Sequence, residues 1–368
     1  MKIKKPIKNN YVKRDFIHKI DAEYVIILGH RSNGKSFAVK EDIIKNALEN
    51  GEEFAYIRRY KEDCKQYMVE EYFSDIICDK KGTRHLEEWS NDRYNTISVY
   101  QQGIYFACVN EDGKVTRGQK LGRMFGLSWD SHYKSLSFPN ITTAVYEEFV
   151  TDGAFLENES KRFMHLISTI FRESKAKVYL VGNSISRINP FFSDWQLVNI
   201  PKQKINSVDM YYHNYTTEDG DTEQVKIAVY LTHSTNINSG MFFGNAAKAI
   251  TGSVWDTDEQ PHLKGKKCDY ELLYTMVFLY DRTAFLMELL ENKETGFILW
   301  FVSPKNTHLQ KNTRVISNKL INDTLATVGF IPLSDQERRV LKLLDEDRVC
   351  FADNLTGTEF KQCYNMMR

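Results

Sequence analysis

The sequence predicts an α/β protein in two units: a mostly parallel sheet carrying a phosphate-binding loop, then a smaller α/β unit at the C-terminal end. Three observations carry this. Gly29-His30-Arg31-Ser32-Asn33-Gly34-Lys35-Ser36 fits G-x-x-x-x-G-K-[ST], with a short apolar run before it and a helical pattern after it. Strand-like and helical runs then alternate as far as Val178–Val181, as in a parallel sheet with crossover helices. After Pro201 the chain turns polar, and strand-like runs resume near Lys267. The expected boundaries are a P-loop domain over 1–204, a linker or lid region over 205–258 and a C-terminal α/β domain over 259–368.

Composition narrows the function classes. A chain of 368 residues is long enough for about two domains. With 42% hydrophobic and 27% charged residues it can bury more than one core, which excludes a disordered chain. Lys+Arg 49 balances Asp+Glu 49, so any polyanion partner must be met by local patches rather than by net charge. No apolar run approaches the roughly 20 residues of a membrane span, and no signal-peptide stretch follows the basic N-terminus. The expected location is the cytoplasm of the cell that makes the chain. The six cysteines include no C-x-x-C pair, which argues for reduced thiols and against a zinc site.

Met1–Ile20 sets seven basic residues against Asp15 and reads as a solvated basic arm. Tyr24–Leu28 is a continuous apolar run, the signature of a strand buried on both faces. In Ser36–Asn50 the apolar Phe37, Val39, Ile43, Ile44, Ala47 and Leu48 fall at helical spacing, closed by Gly51. Phe54–Ile57 is the next strand, and Thr96–Ser128 is β-rich with a turn at Asn110–Gly113. Thr143–Tyr146 and Val178–Val181 are further buried strands flanking a helix over Phe155–Phe171. Within 205–258 the one strand-like run is Val225–Leu231. Beyond it, Leu272–Tyr280 and Thr283–Leu289 form a hairpin about Asp281-Arg282, Phe297–Val302 a third strand, and Ile316–Val328 and Asp335–Leu344 helices.

The phosphate loop has a direct physical reading. Gly29 and Gly34 let the backbone N–H groups of Arg31, Ser32, Asn33 and their neighbours turn inward around phosphates, and the following helix presents its positive end. Lys35 reaches the terminal phosphates of ATP, the Ser36 hydroxyl ligates Mg²⁺, and Phe37 completes the binding segment. Arg31 either touches a phosphate or is solvated.

Thr143-Ala144-Val145-Tyr146-Glu147-Glu148 is an apolar strand ending in two carboxylates. In P-loop enzymes such a strand is expected beside the loop's own strand, with its first acid at the metal and its second at the attacking water. This assigns Glu147 to Mg²⁺ and Glu148 to the water. The strand Val178–Val181 ends in Gly182-Asn183-Ser184, and Asn183 is either the candidate sensor of the lytic water or the γ-phosphate, or simply part of a turn. Arg172 ends the helix before that strand, at the sheet edge away from the ligand. It suits a neighbouring subunit's nucleotide as an arginine finger in trans, or else simply satisfies the helix dipole. Lys134 poses the same question.

The order of these motifs resembles the DNA-packaging ATPases of small tailed phages of the phi29 type. Those belong to the additional-strand (ASCE, RecA-like) P-loop class that includes the large terminases. The resemblance rests on Ala55-Tyr56-Ile57-Arg58-Arg59-Tyr60-Lys61, on Lys134-Ser135-Leu136-Ser137-Phe138-Pro139 leading into Tyr146-Glu147-Glu148-Phe149, and on Ile170-Phe171-Arg172. Gly182-Asn183-Ser184 followed by Asn189-Pro190-Phe191 supports it. Glu147 stands where the family usually has Asp.

The resemblance implies a pentameric ring that drives double-stranded DNA into a preformed procapsid. ATP would lie between subunits, with Arg172 and Lys134 acting on the adjacent subunit's nucleotide. Lys61 either matches a pore-facing lysine that grips the DNA backbone or is a plain surface lysine. The C-terminal unit would resemble a vestigial RNase H-like nuclease that docks on a packaging RNA or on the portal. Leu272–Tyr280 and Phe297–Val302 carry no acid, so no two-metal nuclease activity is expected. Lys305, Lys311, Arg314 and Lys319 form a basic stretch that either meets RNA phosphates or is simply solvated. The alternatives to a packaging motor are a P-loop helicase or recombination ATPase, and a nucleotide-locked scaffold.

Overall fold

A computed structural model describes residues 11–29, 33–151, 155–172, 176–183, 188–216, 222–232, 259–281, 283–305, 313–321, 325–330 and 334–367. Among these, the first unit is built on nine strands: β1 (Tyr24–Gly29), β2 (Glu53–Arg58), β3 (Thr96–Tyr100), β4 (Gly103–Val109), β5 (Val115–Gly126), β6 (Ile141–Glu147), β7 (Lys177–Asn183), β8 (Ser207–Thr216) and β9 (Thr222–Thr232). Their order is β3-β4-β5-β2-β6-β7-β1-β9-β8. The central run from β5 to β9 is parallel. Antiparallel neighbours close both edges.

The central strands read as unbroken apolar runs because both of their faces are covered. Val25 and Ile27 of β1 and Tyr179 and Val181 of β7 pack on one side, under α1 (Arg14–His18), α2 (Lys35–Asn50), α3 (Gln66–Tyr72), α4 (Ser74–Ile77) and α5 (His85–Ser90). Ile26 and Leu28 of β1 and Val178 and Leu180 of β7 pack on the other side, under α6 (Glu159–Ile170) and α7 (Pro190–Asp194). Gly51 ends α2 in a left-handed conformation (φ 73°), and its N–H caps Ala47 O at 3.0 Å.

The structure departs from the sequence reading at four places. The acid-tipped strand β6 does not adjoin β1: β7 lies between them. Every strand of a parallel sheet is apolar on both faces, so the pattern cannot say which strand sits where. Second, the expected linker region supplies β8 and β9 to this sheet, and β9 pairs with β1 from Tyr24↔Ile227 to Gly29↔Thr232. The polar stretch between them joins a hairpin, and residues 233–258 lie outside the described residues.

Third, residues 11–20 are not a solvated arm. Val12, Ile17 and Ile20 are buried, and Arg14 Nε pairs at 3.1 Å with Asp42, a buried acid of α2 that also accepts from Tyr179 at 2.7 Å. Fourth, Ile316–Val328 is not a helix. It contributes β13 (Val315–Ser317) and β14 (Ala326–Val328), two short strands that helix-like apolar spacing concealed.

The second unit holds β10 (Tyr270–Tyr280), β11 (Thr283–Asn292), β12 (Ile298–Lys305), β13, β14 and β15 (Val349–Phe351), in the order β14-β13-β10-β11-β12-β15. An antiparallel β10-β11-β12 meander with β13 and β14 added parallel beside β10 is the strand order of an RNase H-type fold; here β15 lies outside β12. Trp300 is fully buried in its core, its indole N–H donating at 2.8 Å to Val340 O of the helix Asp335–Asp345.

Ile188 of the first unit's sequence inserts into this second core. Close by, the Ser193 hydroxyl donates to Asp281, which Asn318 and Lys319 also hold, at 3.0 and 2.5 Å. Burial alone would raise the Asp281 carboxyl; the bonds from Lys319, Ser193 and Asn318 outweigh it and keep the group below its ordinary value. No described helix is long and apolar enough to cross a membrane.

Candidate active site

The strand register assembles the site. β1 and β7 align Gly29 with Asn183, β1 and β9 align Gly29 with Thr232, and β6 and β7 align Glu147 with Val181. The carboxyl ends of parallel strands all face one crevice, which is where open α/β sheets bind ligands. Arg31 and Ser32 lie outside the described residues. Gly29 leaves β1 in close quarters: a Cβ there would stand 2.5 Å from Asn33 Nδ2 and 2.7 Å from Thr232 O. Gly34 takes φ 79° as the N-cap of α2, a conformation that glycine adopts without strain. Asn33 is buried; its amide N–H donates to the Thr232 hydroxyl, and its Oδ1 accepts from Lys35 Nζ at 3.0 Å. Lys35 Nζ also donates to Gly29 O at 3.0 Å and to Asn183 Oδ1 at 3.3 Å. The lysine therefore joins the loop to the tip of β7.

The two acids occupy different environments. Glu147 is 5% exposed. Its Oε1 accepts from the Tyr72 hydroxyl at 2.7 Å and its Oε2 from the Ser36 hydroxyl at 3.3 Å. Burial raises its carboxyl above the ordinary value, opposed by the Tyr72 bond, the Lys40 charge and the Ser36 bond. Glu148, by contrast, reaches out of the sheet with a side chain 66% exposed and a backbone φ of 55°. A left-handed non-glycine residue costs on the order of 1–3 kcal/mol and persists only where its surroundings hold it.

Two arginines from the end of β2 do so. Arg58 Nη2 donates to Glu148 Oε2 at 2.8 Å, and Arg59 donates to the carbonyls of Glu148 and Phe149 at 3.3 and 2.8 Å. Arg59 is itself fixed by a buried ion pair to Glu159 at 2.8 Å, and Glu159 also accepts from the Tyr146 hydroxyl.

Asn33, Gly34, Lys35, Ser36, Glu147, Glu148 and Asn183 line one cleft of about 480 Å³, with Phe37 at its side. Phe37 packs edge-on against His85 and Trp89, with ring centroids 5.2 and 6.2 Å away. Arg58, Tyr72 and Thr232 were not among the expected site residues. Arg58 carried a partial signal, since it follows the predicted buried strand Phe54–Ile57. Tyr72 and Thr232 carried none, because they reach the site from distant segments.

Arg172, Lys134 and Lys61 do not line this cleft. Arg172 and Lys134 are exposed and adjoin each other, the guanidinium donating to the Lys134 carbonyl. Lys134 also borders a shallow groove beside α6, with Lys161, His165 and the Arg162–Asp130 pair (3.4 Å). Lys61 is partly buried, its ammonium 2.9 Å from the centroid of the Trp129 ring.

The donor set suits Mg²⁺. Ser36 and Glu147 offer hard oxygens, and no group of three or more His, Cys, Asp or Glu able to hold a metal occurs among the described residues. Mg²⁺ is commonly held by one or two such side chains together with the phosphates of a nucleotide. Ser36 would ligate the ion directly and Glu147 through its water shell.

Residues 113–222 match the family model described as Podovirus DNA encapsidation protein (Gp16). Over 336 residues the chain is 27% identical to the DNA packaging protein of Bacillus phage B103, covering 83% of this chain and 94% of that protein. It is 29% identical over 188 residues to the DNA packaging protein of Bacillus phage phi29, covering 50% of this chain and 49% of that one. The fold superposes on a chain of the bacteriophage phi29 viral genome packaging motor assembly with a TM-score of 0.53 at 18% identity, over 98% of this chain and 100% of the other. The chain is a homologue of the phage DNA packaging proteins of the B103 and phi29 type.

Proposed function

We propose that this chain is the ATPase of a viral DNA-packaging motor, which hydrolyses ATP between adjacent subunits of a ring and moves double-stranded DNA into a preformed procapsid. One observation carries the catalytic part: Lys35, Ser36, Asn183, Glu147 and Glu148 converge on a single cleft at the carboxyl ends of parallel strands. Lys35 meets the terminal phosphates, as the lysine that closes a G-x-x-x-x-G-K-[ST] loop does. Glu148, the more exposed acid, orients the attacking water and takes its proton. Asn183 holds the γ-phosphate side of the site against Lys35. Mg²⁺ bound with the nucleotide supplies charge neutralisation at the phosphate oxygens.

Arg172 and Lys134 act on the neighbouring subunit's nucleotide, and Lys61 contacts the DNA backbone. The partners are the portal of the procapsid and a packaging RNA, the ring is a pentamer, and the site of action is the host cytoplasm at the procapsid. The test is ATPase rate per chain against protein concentration, with and without duplex DNA. The rate is expected to climb as chains assemble and again with duplex; a flat, DNA-indifferent rate would overturn the shared-site reading.

The C-terminal unit is proposed to be a docking module without nuclease activity. Glu288 of β11 is held by Lys267 at 2.6 Å, and Asp281 is engaged by Ser193, Asn318 and Lys319. Incubation of the pure chain with supercoiled plasmid and Mg²⁺ or Mn²⁺ is expected to leave the plasmid intact. Metal-dependent nicking would refute this part.

A further inference from the structure

The carboxylate proposed for the metal has a partner from outside the motifs. Tyr72 ends α3, seventy-five residues from Glu147, and its hydroxyl donates to Glu147 Oε1 at 2.7 Å. Glu147 is 5% exposed and its Oε2 faces the Ser36 hydroxyl at 3.3 Å. With Oε1 held by Tyr72 and Oε2 by Ser36, the plane of the carboxylate is set and Oε2 faces the hydroxyl that would ligate Mg²⁺.

Tyr72 is itself held in place. Lys40, a buried residue of the helix that follows the phosphate loop, donates to the Tyr72 carbonyl at 2.7 Å and to Asp75 at 2.5 Å. Its ammonium lies 4.7 Å from the Tyr72 ring centroid. Tyr56 of β2 packs on the same ring, with centroids 4.9 Å apart. A clamped donor on a buried carboxylate is the arrangement by which an outer hydrogen bond orients a metal-binding group.

We infer that Tyr72 is a positioning residue for Mg²⁺, acting through Glu147. This rests on the reading of the cleft as a Mg²⁺–nucleotide site. It adds a link within the chain: the segment 58–75 holds both acids, Arg58 on Glu148 and Tyr72 on Glu147.

The test is Mg²⁺ titration of the binding of a fluorescent ATP analogue to the full chain, in the native protein, Tyr72→Phe, Glu147→Gln and the double variant. Tyr72→Phe keeps the ring packing and removes only the hydroxyl. Its Mg²⁺ midpoint is expected to rise about tenfold, the lower end of the effect of deleting an outer partner. Its metal-free analogue affinity should match the native chain, which reports a folded site. In the Glu147→Gln background the same substitution should add no further shift. A native-like midpoint in Tyr72→Phe, or a full additional shift in the double variant, would overturn the role of Tyr72 while leaving the nucleotide site intact. Absence of Mg²⁺-dependent binding in the native chain would instead remove the nucleotide reading, and this inference with it.

Discussion

Glu148→Gln is expected to bind ATP as the native chain does and to lose turnover by about 10²–10⁴-fold, the range for removing a positioned general base. The physical argument starts from the difference between the two acids. Glu147 is buried, with both oxygens engaged by hydroxyl donors, and is suited to holding a metal shell. Glu148 is exposed, projects into the same cleft and has one oxygen on Arg58. An amide in its place retains the shape and can still accept from Arg58, so the left-handed backbone stays supported. It is far too weak a base to take a proton from water. Analogue binding alongside steady-state phosphate release distinguishes the two effects. Native turnover in Glu148→Gln would transfer the basic role elsewhere, and loss of binding would make the residue structural.

Arg172→Ala is expected to fail as a uniform assembly and to recover in mixtures. Within its own chain Arg172 lies at the foot of α6 and donates to the Lys134 carbonyl, outside the cleft formed by Lys35 and Glu148. On the in-trans proposal its charge serves a neighbour's site. An arginine finger contributes about 10³–10⁵ in rate, so the uniform variant should be nearly inactive. Mixing Arg172→Ala chains with Lys35→Ala chains creates interfaces that combine an intact cleft with an intact arginine. Phosphate release should then exceed that of either variant alone. An Arg172→Ala chain with native activity would identify the side chain as a helix-end cation satisfying the dipole of α6.

The legible part of the site was its local part. Gly29, Gly34, Lys35 and Ser36 lie within eight residues, and their chemistry depends on a strand–loop–helix unit that alternating patterns reveal. The tips of β6 and β7 were legible for the same reason, since an apolar run ending in polar residues marks a strand's carboxyl end. The hairpin β10–β11 and the strand β12 were likewise legible as short apolar runs, the first two meeting at Asp281-Arg282. What escaped was long-range. β8 and the start of β9 looked like a linker because four of the ten residues of β8 and the first three of β9 are exposed and the connecting stretch is acidic, yet Ile227, Val229 and Leu231 are buried against β1. The stretch around α1 looked like a charged arm because Asp42, which neutralises Arg14, lies twenty-eight residues away.

The sequence by itself determined that a G-x-x-x-x-G-K-[ST] loop, a pair of acids and a polar strand tip exist, and that each sits at the end of a buried strand. Only the tertiary structure decided that β7 separates β6 from β1, which brings Asn183 to Lys35 and leaves Glu147 to Ser36. It also decided that Arg58, Tyr72 and Thr232 complete the site. The reason is that local pattern reports which faces of an element are buried. The identity of the neighbour that buries them is set by packing and register among segments far apart in the chain.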